Sequence, residues 1–278
     1  MSGKIMKAVS LLLAILLLAA AGCGGQAPVE LTGEYVANPL KDCPKTEYVY
    51  CVSGNSAEAA ALIAAINQVI KDTDVAKLAE TYTDYAGRRS ANPIGQIDLS
   101  DNTGDYIFAY TTVLEPFNFS GAGGAYADGV DVWMIEKVAE NLNRRLQMDD
   151  LWYTESYAAA KAKAGAILAM GVALTDDVKK DFQVSDVYMS GYQQIISDKA
   201  QGFTSMKELK GLRIGVLAGR TGEKVVKEAM EKGDLKGSNA SVVAFNTDAD
   251  AYLGLKNDVV DVVIMDELAA KIAVARGY

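Results

Sequence analysis

Two short stretches of this chain carry residue types that can serve a binding site. Gly219-Arg220-Thr221-Gly222 stands between an apolar, strand-like run at 212–217 and a helical pattern at about 222–232. Amides at the start of a helix lack partners within it, and that end is electropositive, so the turn suits an anion such as a carboxylate. It can equally be a tight turn and nothing more. A phosphate loop would need Gly-Lys followed by Ser or Thr, and here Glu223 stands between Gly222 and Lys224. Asp266 closes a second apolar run, 259–265, and precedes Glu267-Leu268-Ala269-Ala270, which starts a helix. A carboxylate at a strand end can accept charge-assisted bonds from an amine, or cap the helix that follows.

Other chemistry is excluded by composition. The 278 residues contain no histidine, which removes histidine-based nucleophile activation and histidine metal ligation. No Cys-x-x-Cys or calcium-loop spacing takes its place, and no cofactor is expected. The 27 basic and 36 acidic residues leave a net charge of −9, which argues against a nucleic-acid partner.

The N-terminus reads as a targeting segment. Lys4 and Lys7 precede an apolar run at 8–21, too short to cross about 30 Å of hydrocarbon. The run ends in Ala20-Ala21-Gly22-Cys23, which resembles the lipobox of bacterial lipoproteins. That resemblance implies a signal peptide at 1–22, acylation of Cys23, a tether over 23–34, and a protein held at the outer side of a membrane by lipid. Export would permit a disulfide between Cys43 and Cys51, the alternative being two buried thiols.

The elements that must position the turn and Asp266 follow from periodicity. Strands are predicted at 48–52, 106–111, 167–172, 212–217, 241–245 and 259–265. Helices are predicted at 57–70, from Thr73 through Tyr82, at 132–146, at 222–232 and at 249–256. Residues 87–104 are polar and read as a linker. Strands alternating with helices imply mainly parallel α/β sheets, whose ligands sit at the carboxyl ends of the strands.

Four pieces, in order, resemble the amino-acid-type (family 3) periplasmic solute-binding proteins. They are Tyr106–Phe117 with Asp128-Gly129-Val130-Asp131-Val132 and the helix after it, Gly171–Asp177 with Ser185–Tyr188, Leu209–Gly222, and Val259–Glu267. The resemblance implies a two-lobed type II fold, each lobe a sheet flanked by helices, and a small polar ligand between the lobes. In the family a return strand and two closing helices follow the counterpart of Met265-Asp266-Glu267; here that piece resembles residues 30–86. A circular permutation is therefore expected, the alternative being a swap between copies. It would divide the chain into a closing segment of lobe 1 at 30–86, a joint at 87–104, the main part of lobe 1 at 105–188, lobe 2 at 189–272, and a return toward the hinge at 273–278. Hinge crossings are expected near 188–192 and between Tyr278 and Tyr35.

By the same resemblance Asp266 accepts the ligand's ammonium, and Thr221 with Leu217, Gly219, Arg220 and Gly222 faces its carboxylate. Met170, Gly171 and Ala173 line the opposite lobe, Ala173 without the usual hydroxyl. Thr111 stands where a second acid is common and Leu114 where an aromatic lid is common, with Tyr153 or Tyr157 as the other lid. Val178 replaces the arginine that clamps the carboxylate, a role Arg220 could assume from the other lobe. The implied function is a lipid-anchored binding protein that delivers an amino acid or related amine to the permease of an ABC importer. A surface sensor or adhesin is the alternative, and a dehydratase-like enzyme the weaker one; no catalytic residue is expected.

Overall fold

The computed structural model describes residues 34–88, 92–121 and 127–277. The expected signal peptide, Cys23 and most of the expected tether lie outside the described residues, as do Tyr278 and residues 89–91 of the expected joint.

Two sheets organise the chain. The first has the order β6 (Arg144–Asp150), β3 (Gly104–Thr111), β7 (Ile167–Ala173), β2 (Thr46–Val52), β8 (Gln183–Val184), with β9 (Met189–Gly191) also paired to β2. β3 runs parallel to β6 and β7, whereas β2 runs antiparallel to β7, β8 and β9. The second has the order β1 (Tyr35–Pro39), β10 (Gln193–Asp198), β13 (Val262–Asp266), β11 (Arg213–Leu217), β12 (Ser241–Phe245). β11 is parallel to β12 and β13, and β10 is antiparallel to β13 and β1. A two-residue ladder joins β4 (Phe119–Ser120) to β5 (Ala127–Asp128).

Helices α1 (Ala57–Asp72), α3 (Val130–Asn141), α4 (Tyr153–Ala162) and α5 (Asp176–Asp181) pack on the first sheet; α6 (Thr221–Lys232), α7 (Asp248–Lys256) and α8 (Glu267–Arg276) pack on the second. The remaining helix, α2 (Val75–Arg88), lies against both α3 and α8 and so bridges the lobes. Local chemistry fixes several starts: Ser56, Thr175 and Thr247 each accept an amide of the first turn of α1, α5 and α7. The central strands are apolar on both faces because helices cover both, and β7 and β13 are almost wholly buried. One core runs from Tyr50 and Met134 in lobe 1 through Tyr82 on α2 to Met265 and Ile272 in lobe 2. Lobe 1 also buries an outer cluster of Cys51, Leu168 and Phe182, and lobe 2 one of Ile195, Val226 and Ile264.

Four expectations are corrected. The helix predicted at 132–146 ends at Asn141, since Asn143 takes a left-handed φ of 50° that breaks it, and 144–150 pairs with β3 as strand β6. Residues 35–39 join the second sheet through β10, so the segment 30–86 does not belong to lobe 1 alone. The chain crosses between sheets at Tyr192, as expected, and again at 40–45 between β1 and β2, where no crossing was expected. Cys43 and Cys51 are both free: Cys43 packs beside the lobe 2 cluster and Cys51 lies in the outer cluster of lobe 1, most of a strand away.

Candidate functional site

β11 and β13 are adjacent parallel strands, so their carboxyl ends bring the Gly219 turn and Asp266 to one edge of lobe 2. That edge meets the carboxyl end of β7 and the start of α4 in lobe 1. Asp266 occupies the N-cap position of α8, yet its side chain makes no capping bond. It turns across the seam instead, accepting from Tyr48 Oη at 2.5 Å and from Gln193 Nε2 at 2.9 Å. Tyr48 belongs to β2 in lobe 1, so this hydrogen bond ties the lobes together. Burial, then the neighbouring Asp266 carboxylate, pushes the Tyr48 phenol well above its ordinary range, so it stays a donor. Gln193 also donates to Thr46 Oγ1 at 3.2 Å.

Arg220 crosses the seam in the other direction. It precedes α6, is 6% exposed, and lays its guanidinium 4.8 Å from the centre of the Tyr153 ring. Its Nη1 donates to the Met170 carbonyl at 2.6 Å, with Gly171 O at 3.5 Å. Beneath Gly171 lies Asp131, fully buried, which accepts from Gly171 N at 2.7 Å and from the hydroxyls of Tyr50 and Tyr188 at 2.9 Å each. Burial raises the Asp131 carboxyl to about 6, against the pull of those three donors and of nearby Arg220. Gly171 has a φ of 61°, and a side chain there would press on the Phe117 ring at 3.3 Å.

The turn itself differs from an open anion cradle. Gly219 N donates to Glu223 Oε2 at 2.6 Å, so the helix's own first-turn carboxylate takes that amide. Burial pushes Glu223 upward, but Lys227 and the Gly219 amide outweigh it and hold the carboxyl below its usual range. A Cβ on Gly219 would stand 2.7 Å from Tyr153 Cδ1, which shows how closely the two lobes meet. Beside the seam a cavity of about 70 Å³ is lined by Tyr48, Phe117, Met189 and Glu267 among others. That is room for a couple of waters, less than an amino acid needs. The arrangement is a closed, polar interface between lobes.

Comparison with known proteins gives this interface a setting. A family model described as NMT1/THI5 like matches residues 157–274. The arginine-binding extracellular protein ArtP of Bacillus subtilis (strain 168) is 27% identical over 165 residues, 59% of this chain and 62% of that one. The holo structure of ArgBP from T. maritima is 26% identical with a TM-score of 0.54, over 62% of this chain and 73% of that chain. The fold is thus that of the two-lobed periplasmic amino-acid-binding proteins. The chain spans about three fifths of the length of the curated relative. An ancestral amino-acid-binding protein, described as a precursor of cyclohexadienyl dehydratase, shares the fold at 24% identity and TM-score 0.54.

Within this solute-binding fold, Asp266, Arg220, Gly219, Met170, Gly171 and Tyr153 meet at the seam. Gly222 packs tightly on β13, where a Cβ would stand 2.9 Å from Ile264 O; Leu217 is buried, and Thr221 opens α6. Ala173 ends β7 opposite Tyr48. Three expected residues engage elsewhere. Tyr157 donates to Asp181 at 3.0 Å and packs edge-on to Phe182 in the outer cluster. Thr111 is buried and accepts from Asn118 Nδ2, and Leu114 is core. Val178 sits in the outer cluster with Cys51 and Phe182, so its valine serves packing. Sequence reading missed Tyr48, Gln193 and the Asp131 cluster. The available signal was Thr46–Val52, whose alternation sends Tyr48, Tyr50 and Val52 to one face.

Proposed function

We propose that this chain is an extracytoplasmic, lipid-anchored binding protein of an ABC-type importer that closes its two lobes on a small amine-bearing solute, an amino acid or close relative. The observation that carries this reading is the pair of cross-seam contacts at the carboxyl ends of β7, β11 and β13, Tyr48–Asp266 and Arg220–Met170. A carboxylate that spends its lone pairs on movable donors from two lobes is an amine acceptor when the lobes part. Opening would rotate the lobes at the Tyr192 and 40–45 crossings and shift the packing of α2, which touches both. The relatives named as arginine-binding support an amino acid as ligand. The lipobox-like Ala20-Ala21-Gly22-Cys23 supports the anchor, and the anchor supports delivery to a membrane permease.

The same reading includes a circular permutation within one chain. β2 reaches the centre of the first sheet, antiparallel between β7 and β8, although it precedes both in sequence. Both ends of the described chain meet: Glu34, Tyr35, Val274 and Gly277 line one cavity of about 380 Å³. The stretch Gly104–Arg276 is about 62% of the chain, and the relatives align over 59–62% of it.

The test is a thermal-shift screen of residues 24–278 against the amino acids, polyamines and small carboxylates. Bound solute stabilises the closed form by mass action, about 2.7 kcal/mol at one hundred times Kd. At least one amino acid is expected to raise the melting temperature. No shift with any amino acid or amine overturns the reading.

A further inference from the structure

Strand β6 ends the first sheet. It pairs with β3 on one side, and among the described residues no strand pairs with its other side. An open strand edge is a template for a further chain, and proteins usually blunt it with charge. Asn143 O accepts from Gly104 N, and Leu151 N donates to Thr111 O, so the odd-numbered residues bond toward β3. Alternation then turns the amides and carbonyls of Leu146, Met148 and Asp150 to the open side. At the start of the strand Asn102 Nδ2 donates to Arg144 O at 2.8 Å. The strand reads Arg-Arg-Leu-Gln-Met-Asp-Asp, basic at one end and acidic at the other, with Gln147 at its centre. Reversed, it is its own complement in charge. Glu58 holds Arg144 at 3.1 Å. Arg145 is exposed and lies 4.2 Å from the centre of the Tyr106 ring, and among the described residues neither it nor Asp149 has an ion-pair partner.

We propose that β6 is a self-pairing edge, on which a second copy of this chain docks antiparallel about a two-fold axis through Gln147. Symmetry then sets Arg145 of each copy opposite Asp149 of the other. Both fall in non-hydrogen-bonded pairs, where Cα atoms approach to about 4.5 Å and side chains lie closest. The outward amides and carbonyls of Leu146 and Met148 meet in the hydrogen-bonded pairs between them. Leu146 and Met148 also line an apolar groove of about 320 Å³ with Val132 and Glu136, so the two grooves come to lie side by side. The charges select this register. An axis through Leu146 leaves Asp149 without Arg145, and an axis through Met148 leaves Arg145 without Asp149. A parallel pairing sets like charges together, which is destabilising. The same charges oppose addition of an apolar strand, so the edge is closed to foreign chains and open to its own copy. One strand's edge is a small contact, which makes the dimer weak and dependent on concentration.

The experiment is sedimentation equilibrium of residues 24–278, with a cysteine cross-link to read the register. The native chain is expected to dimerise with a Kd of ~100 µM and to weaken in high salt. Arg145→Asp places like charges opposite each other and should weaken the dimer at least ~10-fold. Arg145→Asp combined with Asp149→Arg restores the complement and should return the Kd to within about 3-fold of the native value. In a Cys43→Ser background, with Cys51 buried, Gln147→Cys should oxidise readily to a covalent dimer, because Gln147 meets its own copy at disulfide distance. Arg145→Cys alone should not, whereas a mixture of Arg145→Cys and Asp149→Cys chains should couple as well as Gln147→Cys does. A chain that stays monomeric to ~1 mM overturns the proposal. So does a dimer indifferent to the charge reversal, which is how an exchange of closing segments between copies would behave. Equal cross-linking at 145, 147 and 149 also overturns it. None of these outcomes bears on solute binding, which the thermal-shift screen tests separately.

Discussion

Asp131 and Asp266 are both buried acids that accept tyrosine hydroxyls, and they do opposite work. Asp131 takes all three of its donors, Tyr50, Tyr188 and Gly171 N, from the sheet and crossing of lobe 1. Those donors move with it, so the cluster is a fixed strut beneath the Met170–Gly171 carbonyls. Asp266 takes one donor from its own lobe, Gln193, and one from the other, Tyr48. Hinge motion leaves Asp131 satisfied and strips Asp266 of a partner. Burial alone therefore does not mark a binding acid; what marks it is a donor set that the fold's own motion takes apart.

The largest effect that could break this contrast is on stability. Asp131→Ala leaves two buried hydroxyls and an amide without an acceptor and should cost about 3–5 kcal/mol. Asp266→Asn keeps an acceptor for Tyr48 and should cost less than about 1 kcal/mol. Urea denaturation of both variants checks this, and equal losses would erase the distinction.

Next in size is a pH dependence. Asp131, with its carboxyl raised to about 6, favours the protonated form in the folded state relative to the unfolded chain. Its contribution is fully present below the unfolded value near 4 and is lost as pH rises through 6, a change on the order of 3 kcal/mol. Asp248, raised to about 6 by burial, and Glu136, raised to about 7 by burial, act in the same direction. Stability measured from pH 4 to 7 should fall, and Asp131→Asn should flatten part of that slope without removing it. A slope unchanged by Asp131→Asn would contradict the burial of that charge.

A smaller effect sharpens the account of closure. Gly219 has a φ of 74° and faces Tyr153 across the seam. Gly219→Ala should cost about 1–2 kcal/mol and weaken solute binding by ~10-fold, with a larger radius of gyration in solution scattering. An unchanged radius and affinity would mean that the two lobes do not meet here in solution. The smallest effect concerns the cysteines. With both thiols free, the melting temperature should be the same with and without reductant, and Cys51, buried with its thiol pushed far up by burial, should resist alkylation until the protein unfolds. A reductant-sensitive melt would restore the disulfide.

Much of the fold was legible because apolar strands such as 241–245 and 259–265 carry their own signal, the second settling at Val262–Asp266; the helix start expected at Thr73 is capped instead by Asp74, which accepts from Lys77 N at 3.0 Å. Strand β6 was not legible. Arg-Arg-Leu-Gln-Met-Asp-Asp reads as a polar extension of α3, and only pairing with β3 makes it a strand. At the site, Asp266 and the Gly219 turn were visible as types at strand ends. Tyr48 and Gln193 were not, because their roles arise from two distant segments meeting across a closed seam. The Glu223 carboxylate on the Gly219 amide was readable in principle, four residues along the same turn.

The most direct measurement is titration calorimetry of residues 24–278 and of the Asp266→Asn variant with L-arginine, L-histidine and L-glutamine. At least one should bind the native chain in a one-to-one ratio, and the variant should bind it at least ~100-fold more weakly while melting at nearly the same temperature. Equal binding by the two proteins would contradict the assignment of Asp266 as the acceptor on which the lobes close.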